Sequence, residues 1–235
     1  MYAAAQFPSP PSSQQPAGWH GVVLFSTPSP GASTTVTIDL QGLEPNTYHA
    51  VHIHEKQIVP GKNCYDIGGH WNPLKQEHGS LLVNSKKRHA GDLCNNVLSN
   101  RIGTVQIKYQ DPTIDLWNHQ LSPVGRSVVV HDGPDDLGLG GVFINADNGQ
   151  ISPPLVNGFR ENSVSFYSYE DLPPRVLCSL LADNKQRQSS GGGGGVQQQP
   201  QQQRQRDAML AKLLSESHTT GNAGGRMACA KVVAV

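Results

Sequence analysis

The run "YHAVHIHEK" holds three histidines in six residues, and two of them, His52 and His54, alternate. On a β-strand, residues two apart share a face, so these two imidazoles would stand side by side. Other metal-capable side chains gather in the same way. His70 and His78 lie in "GGHWNPLKQEHGS", His89 and Asp92 in "KKRHAGDLCN", and His131 in "SVVVHDGPDD". Imidazole suits several borderline divalent metals. Zinc accepts three histidines and one carboxylate in a closed tetrahedral site, whereas copper(II) favours nitrogen donors in a tetragonal one. The clusters therefore point to metal chemistry.

Such residues need elements that bring them together. The segments "GVVLFS", "TTVTIDL", "YHAVHIH", "GTVQIKY", "TIDLWN", "RSVVVH" and "RMACAKVVAV" are short, mostly period two and rich in β-branched residues, with turn residues between them. They predict an all-β chain folded as an antiparallel sandwich or barrel. Between about residues 56 and 92 no strand period appears, yet Gly, Asn, His and Cys abound. A loop this long in a compact domain is functional or ordered by something bound, and a metal can pin it.

Acidic and basic residues number 18 each, so neither nucleic acid nor a membrane surface is expected as a partner. No apolar run is long enough to span a bilayer. Residues 1–17, rich in Pro, Ser and Gln, read as a disordered arm without the marks of a secretory leader or transit peptide, and cytosolic placement is expected. Residues 18–146 form the first part of a β domain. Residues 147–218 read as an insertion. It holds "SVSFYSYE" as a strand candidate, short helices in "DLPPRVLCSLLADNK" and "RDAMLAKLLSES" with Asp207 as N-cap, and glycine- and glutamine-rich linkers. Residues 219–235 return to the β domain. Four cysteines at irregular spacing suit neither a disulfide scaffold nor a CxxC zinc site.

The motifs "HIHE", "GGHWNP", "RHAGDL", "VVVHDGPDDLGLGG" and "GNAGGRMAC" resemble, in order and context, those of the copper/zinc superoxide dismutases, over about residues 18–142 and 219–235. The resemblance implies a Greek-key β-sandwich or barrel with long metal-binding and electrostatic loops. It implies copper on His52, His54, His70 and His131, and zinc on His70, His78, His89 and Asp92, with His70 as a bridging imidazolate. Asp135 would link a copper histidine to a zinc histidine, Arg226 would attract the superoxide anion, and Cys64 and Cys229 would form a disulfide. Copper and zinc are the implied cofactors. A homodimer and a copper chaperone are the implied partners. The implied activity is dismutation of superoxide to dioxygen and hydrogen peroxide. The alternative is a silent copper carrier or chaperone-binding relative, which loss of a copper ligand or of the arginine would mark; both are intact. A metallohydrolase would need an HxHxDH continuation that "HIHEKQ" lacks.

His20, His49, His119 and His218 match no ligand position and read as structural or surface histidines, and His49 should face away from His52 and His54. Cys94 and Cys178 read as free thiols, and "KKR" at Lys86 to Arg88 as a solvated charge run. Three departures from the family stand out. The opening strand reads as missing or degraded. "EKQIVPGKNC" replaces a loop that takes part in the family's dimer contact. The insertion interrupts the electrostatic loop, where Thr219 stands for a guiding lysine and Thr220 is retained.

Overall fold

A computed structural model describes residues 1–7, 19–81, 87–145, 151–152, 164–168 and 199–235. Eight antiparallel strands form one sheet: β1 (Tyr2–Phe7), β2 (His20–Ser26), β3 (Thr34–Gln41), β4 (Tyr48–His54), β5 (Asp92–Leu98), β6 (Val105–Asp111), β7 (Ser127–His131) and, last in the chain, β11 (Arg226–Ala234). Their order across the sheet is β5-β4-β7-β11-β1-β2-β3-β6, and the edges β5 and β6 approach each other, so the sheet nearly closes. The connections β3–β4 and β6–β7 cross between strands that are not neighbours, which gives the Greek-key path. Alternate residues such as Val23 and Phe25, Val36 and Ile38, and Val51 and Ile53 fill the interior. Among the described residues no helix is long and apolar enough to cross a membrane.

The opening strand is present, which corrects the expectation of a disordered arm from residue 1. Tyr2–Phe7 pairs with β11 on one side (Ala3 opposite Ala234) and β2 on the other (Ala3 opposite Phe25). Ala3, Ala5 and Phe7 alternate inward and are fully buried, and Phe7 stacks on Trp19 with centroids 5.1 Å apart. Alanine is a poor strand former on its own, but burial between two neighbours decides here. Residues 8–17 of the expected arm lie outside the described residues.

Two further assignments change. "TIDLWN" is a turn, because the Asp111 carboxylate accepts the amides of Thr113 (2.8 Å) and Ile114 (3.3 Å), and Asp115 accepts that of Trp117 (2.9 Å). Its Ile114 and Leu116 are still buried. Conversely, β5 is a strand the sequence reading did not mark, starting where the expected loop ends, with buried Asn95 and Asn96 in its middle.

Just before the insertion, β8 (Gly141–Asn145) forms with β9 (Ile151–Ser152) and β10 (Val164–Ser168), both inside it, a separate three-stranded sheet in the order β10-β8-β9. "SVSFYSYE" thus supplies a strand that pairs with β8. Helix α1 (Gln199–Thr220) begins eight residues before Asp207, which is therefore interior and not an N-cap. Glutamine propagates helix well and Pro200 is tolerated in the first turn. The "DLPPRVLCSLLADNK" segment, its Cys178 and the polyglycine lie outside the described residues.

Candidate metal centre

Four strand ends and one loop converge on the site. In β4, His52 and His54 lie on one face, and the strand sits between β5 and β7. Register places Asp92, the first residue of β5, opposite His52 across a bulge. It also places His131, the last residue of β7, opposite Arg226, the first of β11. The loop after β4 brings His70 back beside His54 through an isolated bridge, and supplies His78 and His89. Gly91 is required where this loop folds back, since a Cβ there would strike the Ile53 carbonyl and the Trp71 backbone.

The result is two buried donor sets sharing one ring. The first is His52, His54, His70 and His131, and the second is His70, His78, His89 and Asp92; within each, the donor atoms lie within 4.8 Å of one another. Nδ1 of His52 and Nε2 of His54, His70 and His131 are buried without a hydrogen-bond partner among the described residues. Four orphaned imidazole nitrogens facing one point would be costly unless a cation takes their lone pairs. In the second set, Nδ1 of His70, His78 and His89 lie 2.8, 3.1 and 3.2 Å from Asp92 Oδ1. A tetrahedral zinc with bonds of about 2.0–2.1 Å would set its donors about 3.3 Å apart, so three nitrogens and one carboxylate oxygen fit it. The nitrogen-only set fits copper.

Outer groups fix each ring. His54 Nδ1 meets the Gly68 carbonyl at 3.0 Å, which turns Nε2 into the site. Asp135 spans both sets, with Oδ1 2.9 Å from His78 Nε2 and Oδ2 2.7 Å from His52 Nε2, the latter off the line of a straight hydrogen bond. Asp92 Oδ2 accepts the amides of Gly79 (3.0 Å) and His89 (2.9 Å), leaving Oδ1 for the histidines. Burial and the neighbouring rings hold His54 and His131 well below the usual imidazole range, and burial with His52 pushes His70 down to about 3. His78 goes the other way: burial opposes its charge, but Asp135 and Asp92 outweigh it and hold it well above its ordinary value.

Arg226 closes the site. Its Nη1 donates to the Cys64 carbonyl (2.7 Å) and its Nη2 to the Gly68 carbonyl (2.6 Å), the same oxygen that orients His54. Cys64 and Cys229 are disulfide-bonded with Cα atoms 5.7 Å apart, which ties this loop to β11. Every site residue expected from the sequence lies in this one cluster.

Several contributors carried no sequence signal. Asn96 clamps the Asp135 backbone, accepting its amide at 2.7 Å and donating to its carbonyl at 2.8 Å. Arg88 is buried and not solvated: it donates to the Asp92 carbonyl (2.6 Å) and to Asp111 Oδ1 (2.6 Å). His49 is buried on the opposite face of β4, with Nδ1 2.9 Å from the His131 carbonyl, so it braces a site residue from behind. From the inserted helix, the His218 carbonyl accepts the His78 amide at 3.0 Å. Ser217 Oγ donates to Asp136 and accepts from the Gly140 amide.

A family model described as copper/zinc superoxide dismutase (SODC) matches residues 19–155. The chain is 37% identical over 137 residues to superoxide dismutase [Cu-Zn] of Saccharomyces cerevisiae, covering 58% of this chain and 86% of that one. It is 39% identical over 120 residues to the extracellular superoxide dismutase [Cu-Zn] of Drosophila melanogaster, covering 51% and 63%. Among solved structures, the clock protein EA4 superposes with a TM-score of 0.58 at 21% identity, covering 100% of this chain and 94% of that one, a likeness of fold.

Proposed function

The chain belongs to the copper/zinc superoxide dismutase family, and we propose that, as a superoxide dismutase, it holds copper on His52, His54, His70 and His131 and zinc on His70, His78, His89 and Asp92. The observation that carries this ligand assignment is the pair of donor sets meeting at one shared ring, with the four inward nitrogens of the first set left unpartnered. Bound copper supplies a one-electron acceptor and donor, so that two superoxide anions and two protons become dioxygen and hydrogen peroxide.

This chain's residues do the rest. Arg226 offers a fixed positive charge where the anion docks, held by the Cys64 and Gly68 carbonyls so that no reorganisation is needed on arrival. His70 faces both donor sets: its Nδ1 is turned to Asp92 and its unpartnered Nε2 to the other set, where it would hold a proton and pass it to reduced oxygen. Asp135 holds His52 and His78 in fixed orientation, and so couples the two halves of the site. Net charge is zero, so attraction is local to this cleft and the rate should fall as salt rises.

Exposed Tyr2, Val59, Val233 and Val235 support a homodimer, and the Val235 amide bonded to the Tyr2 carbonyl places two of them together. Sedimentation at micromolar concentration tests it. A cytosolic protein loaded by a copper chaperone completes the reading; cell fractionation tests the location, and recovery outside the cell would overturn it.

The test of function is superoxide-decay kinetics beside metal analysis, for the wild type and His131→Ala. The wild type should bind one copper and one zinc and dismutate, and the variant should lose copper and activity together. Full loading without dismutation would favour a copper carrier, and equal activity in the variant would remove His131 from the ligand set.

A further inference from the structure

We propose that Tyr65 is a positioning and anion-selecting residue for this reaction: its ring stands beside the Arg226 guanidinium and narrows the approach to it, and its hydroxyl fixes the Arg226 backbone. The inference rests on the reading of Arg226 as the cation that docks the anion.

Arg226 Cζ lies over the Tyr65 ring, 5.5 Å from its centroid, within the range of a cation–π contact. The Tyr65 hydroxyl accepts the Arg226 backbone amide at 3.2 Å, and a Cβ built on Gly225 would come within 3.3 Å of the same oxygen. The phenol is thus fitted against the Gly225–Arg226 segment and does not merely hang beside it. Its own backbone is fixed as well. The Tyr65 amide donates to Asn63 Oδ1 (2.8 Å) at the start of the 3-10 turn Cys64–Ile67. The preceding residue, Cys64, is bonded to Cys229 and supplies the carbonyl that holds Arg226 Nη1. Yet the side chain is 59% exposed, so burial of apolar surface does not explain why a large aromatic stands there.

The consequence follows from guanidinium geometry. The group has five N–H donors in its plane and none on its faces. Two donors are taken by the Cys64 and Gly68 carbonyls, and the phenol ring stands against the group, under Cζ. An anion must therefore take the remaining in-plane donors, beside the phenol. Where the phenol narrows that approach, a small diatomic anion is admitted more readily than the bulkier phosphate, so Tyr65 favours superoxide over phosphate at the same cation.

The test uses the full-length protein loaded with copper and zinc, as wild type, Tyr65→Phe and Tyr65→Thr. The exposed position lets both variants fold, which disulfide and metal content verify. The first readout is the rate at which phenylglyoxal, an arginine reagent far bulkier than superoxide, modifies Arg226, resolved by peptide mass. Tyr65→Thr should react roughly two- to fivefold faster than wild type, the factor a cation–π contact at an exposed site is worth, and Tyr65→Phe should stay near wild type. The second is inhibition of dismutation by phosphate, which should strengthen in Tyr65→Thr and be restored by the ring in Tyr65→Phe. Equal modification rates and equal phosphate inhibition in all three proteins would overturn the inference while leaving the dismutase reading intact. A wild type that is fully loaded but does not dismutate would overturn both.

Discussion

Replacing Asp135 by Asn keeps the shape of the side chain and changes its hydrogen bonding. His52 and His78 turn Nδ1 toward the two donor sets, so both point Nε2 at this carboxylate, His78 in a hydrogen bond (2.9 Å) and His52 in a bent charge contact (2.7 Å). A carboxylate turns an oxygen to each ring; an amide has one acceptor oxygen and must point its NH2 at the other ring. The side chain cannot swing away. Asn96 clamps its backbone, and Gly221, at φ 65°, packs so tightly against the carboxylate that even a Cβ there would overlap it. One buried imidazole N–H is left unsatisfied, at about 1–3 kcal/mol. That matches the 10- to 100-fold loss of metal affinity, about 1.4–2.8 kcal/mol, expected when an outer carboxylate of a metal site is removed. Zinc affinity measured by chelator competition, with copper bound, should therefore fall by one to two orders of magnitude in Asp135→Asn. A value within about threefold of wild type would refute the claim that Asp135 orients His78.

Other outcomes follow from the same contacts. Ser217→Ala removes two buried hydrogen bonds, to Asp136 and from Gly140, that seat the inserted helix beside His78; the melting temperature should fall by an amount equivalent to about 1–3 kcal/mol, and zinc should leave faster. An unchanged zinc off-rate would separate the helix from the zinc set. The Cys64–Cys229 bridge closes a separation of 165 residues, so Cys64→Ser with Cys229→Ser should cost about 2–5 kcal/mol in denaturant unfolding and loosen Arg226; equal stability would contradict this. In the metal-free protein, His54, His70 and His131 are buried neutral, with folded-state values below the ordinary 6.5. As pH falls below about 6.5 the unfolded chain gains protons that these rings refuse, so stability falls. His78, raised by its carboxylates, works in the opposite sense but is one ring against three. The chelated protein should melt lower at pH 5 than at pH 7.5, and a higher melting point at pH 5 would reverse the reading.

The candidate ligands were legible because imidazoles and one aspartate cluster in short motifs, alternation in "HIHE" puts two of them on one face, and the family resemblance sorts them into two sets. What positions them was not. Asn95, Asn96 and Arg88 act through side-chain bonds to backbone far away in sequence, such as Asn95 to the Gly79 carbonyl and Asn96 to Asp135, and no local period marks such contacts. Strand β5 hid for the same reason: its buried face is polar where it meets the loops. β1 hid because three alanines become a strand only when two neighbours bury them. "TIDLWN" failed in the opposite direction, since its period-two pattern is real but Asp111 and Asp115 bond their own following amides and turn the chain. Gly, Pro and Gln composition flagged the insertion, yet gave no sign that its last helical turns would reach the zinc set through Ser217 and His218.

The central claim is that His70 is shared by two different metals. Anomalous diffraction from crystals of the loaded protein, recorded at the copper and zinc edges, tests it most directly. The account predicts two peaks, copper among the ring nitrogens of His52, His54, His70 and His131, and zinc among those of His70, His78 and His89 with Asp92 Oδ1. A single peak, or copper scattering away from His131, would contradict it.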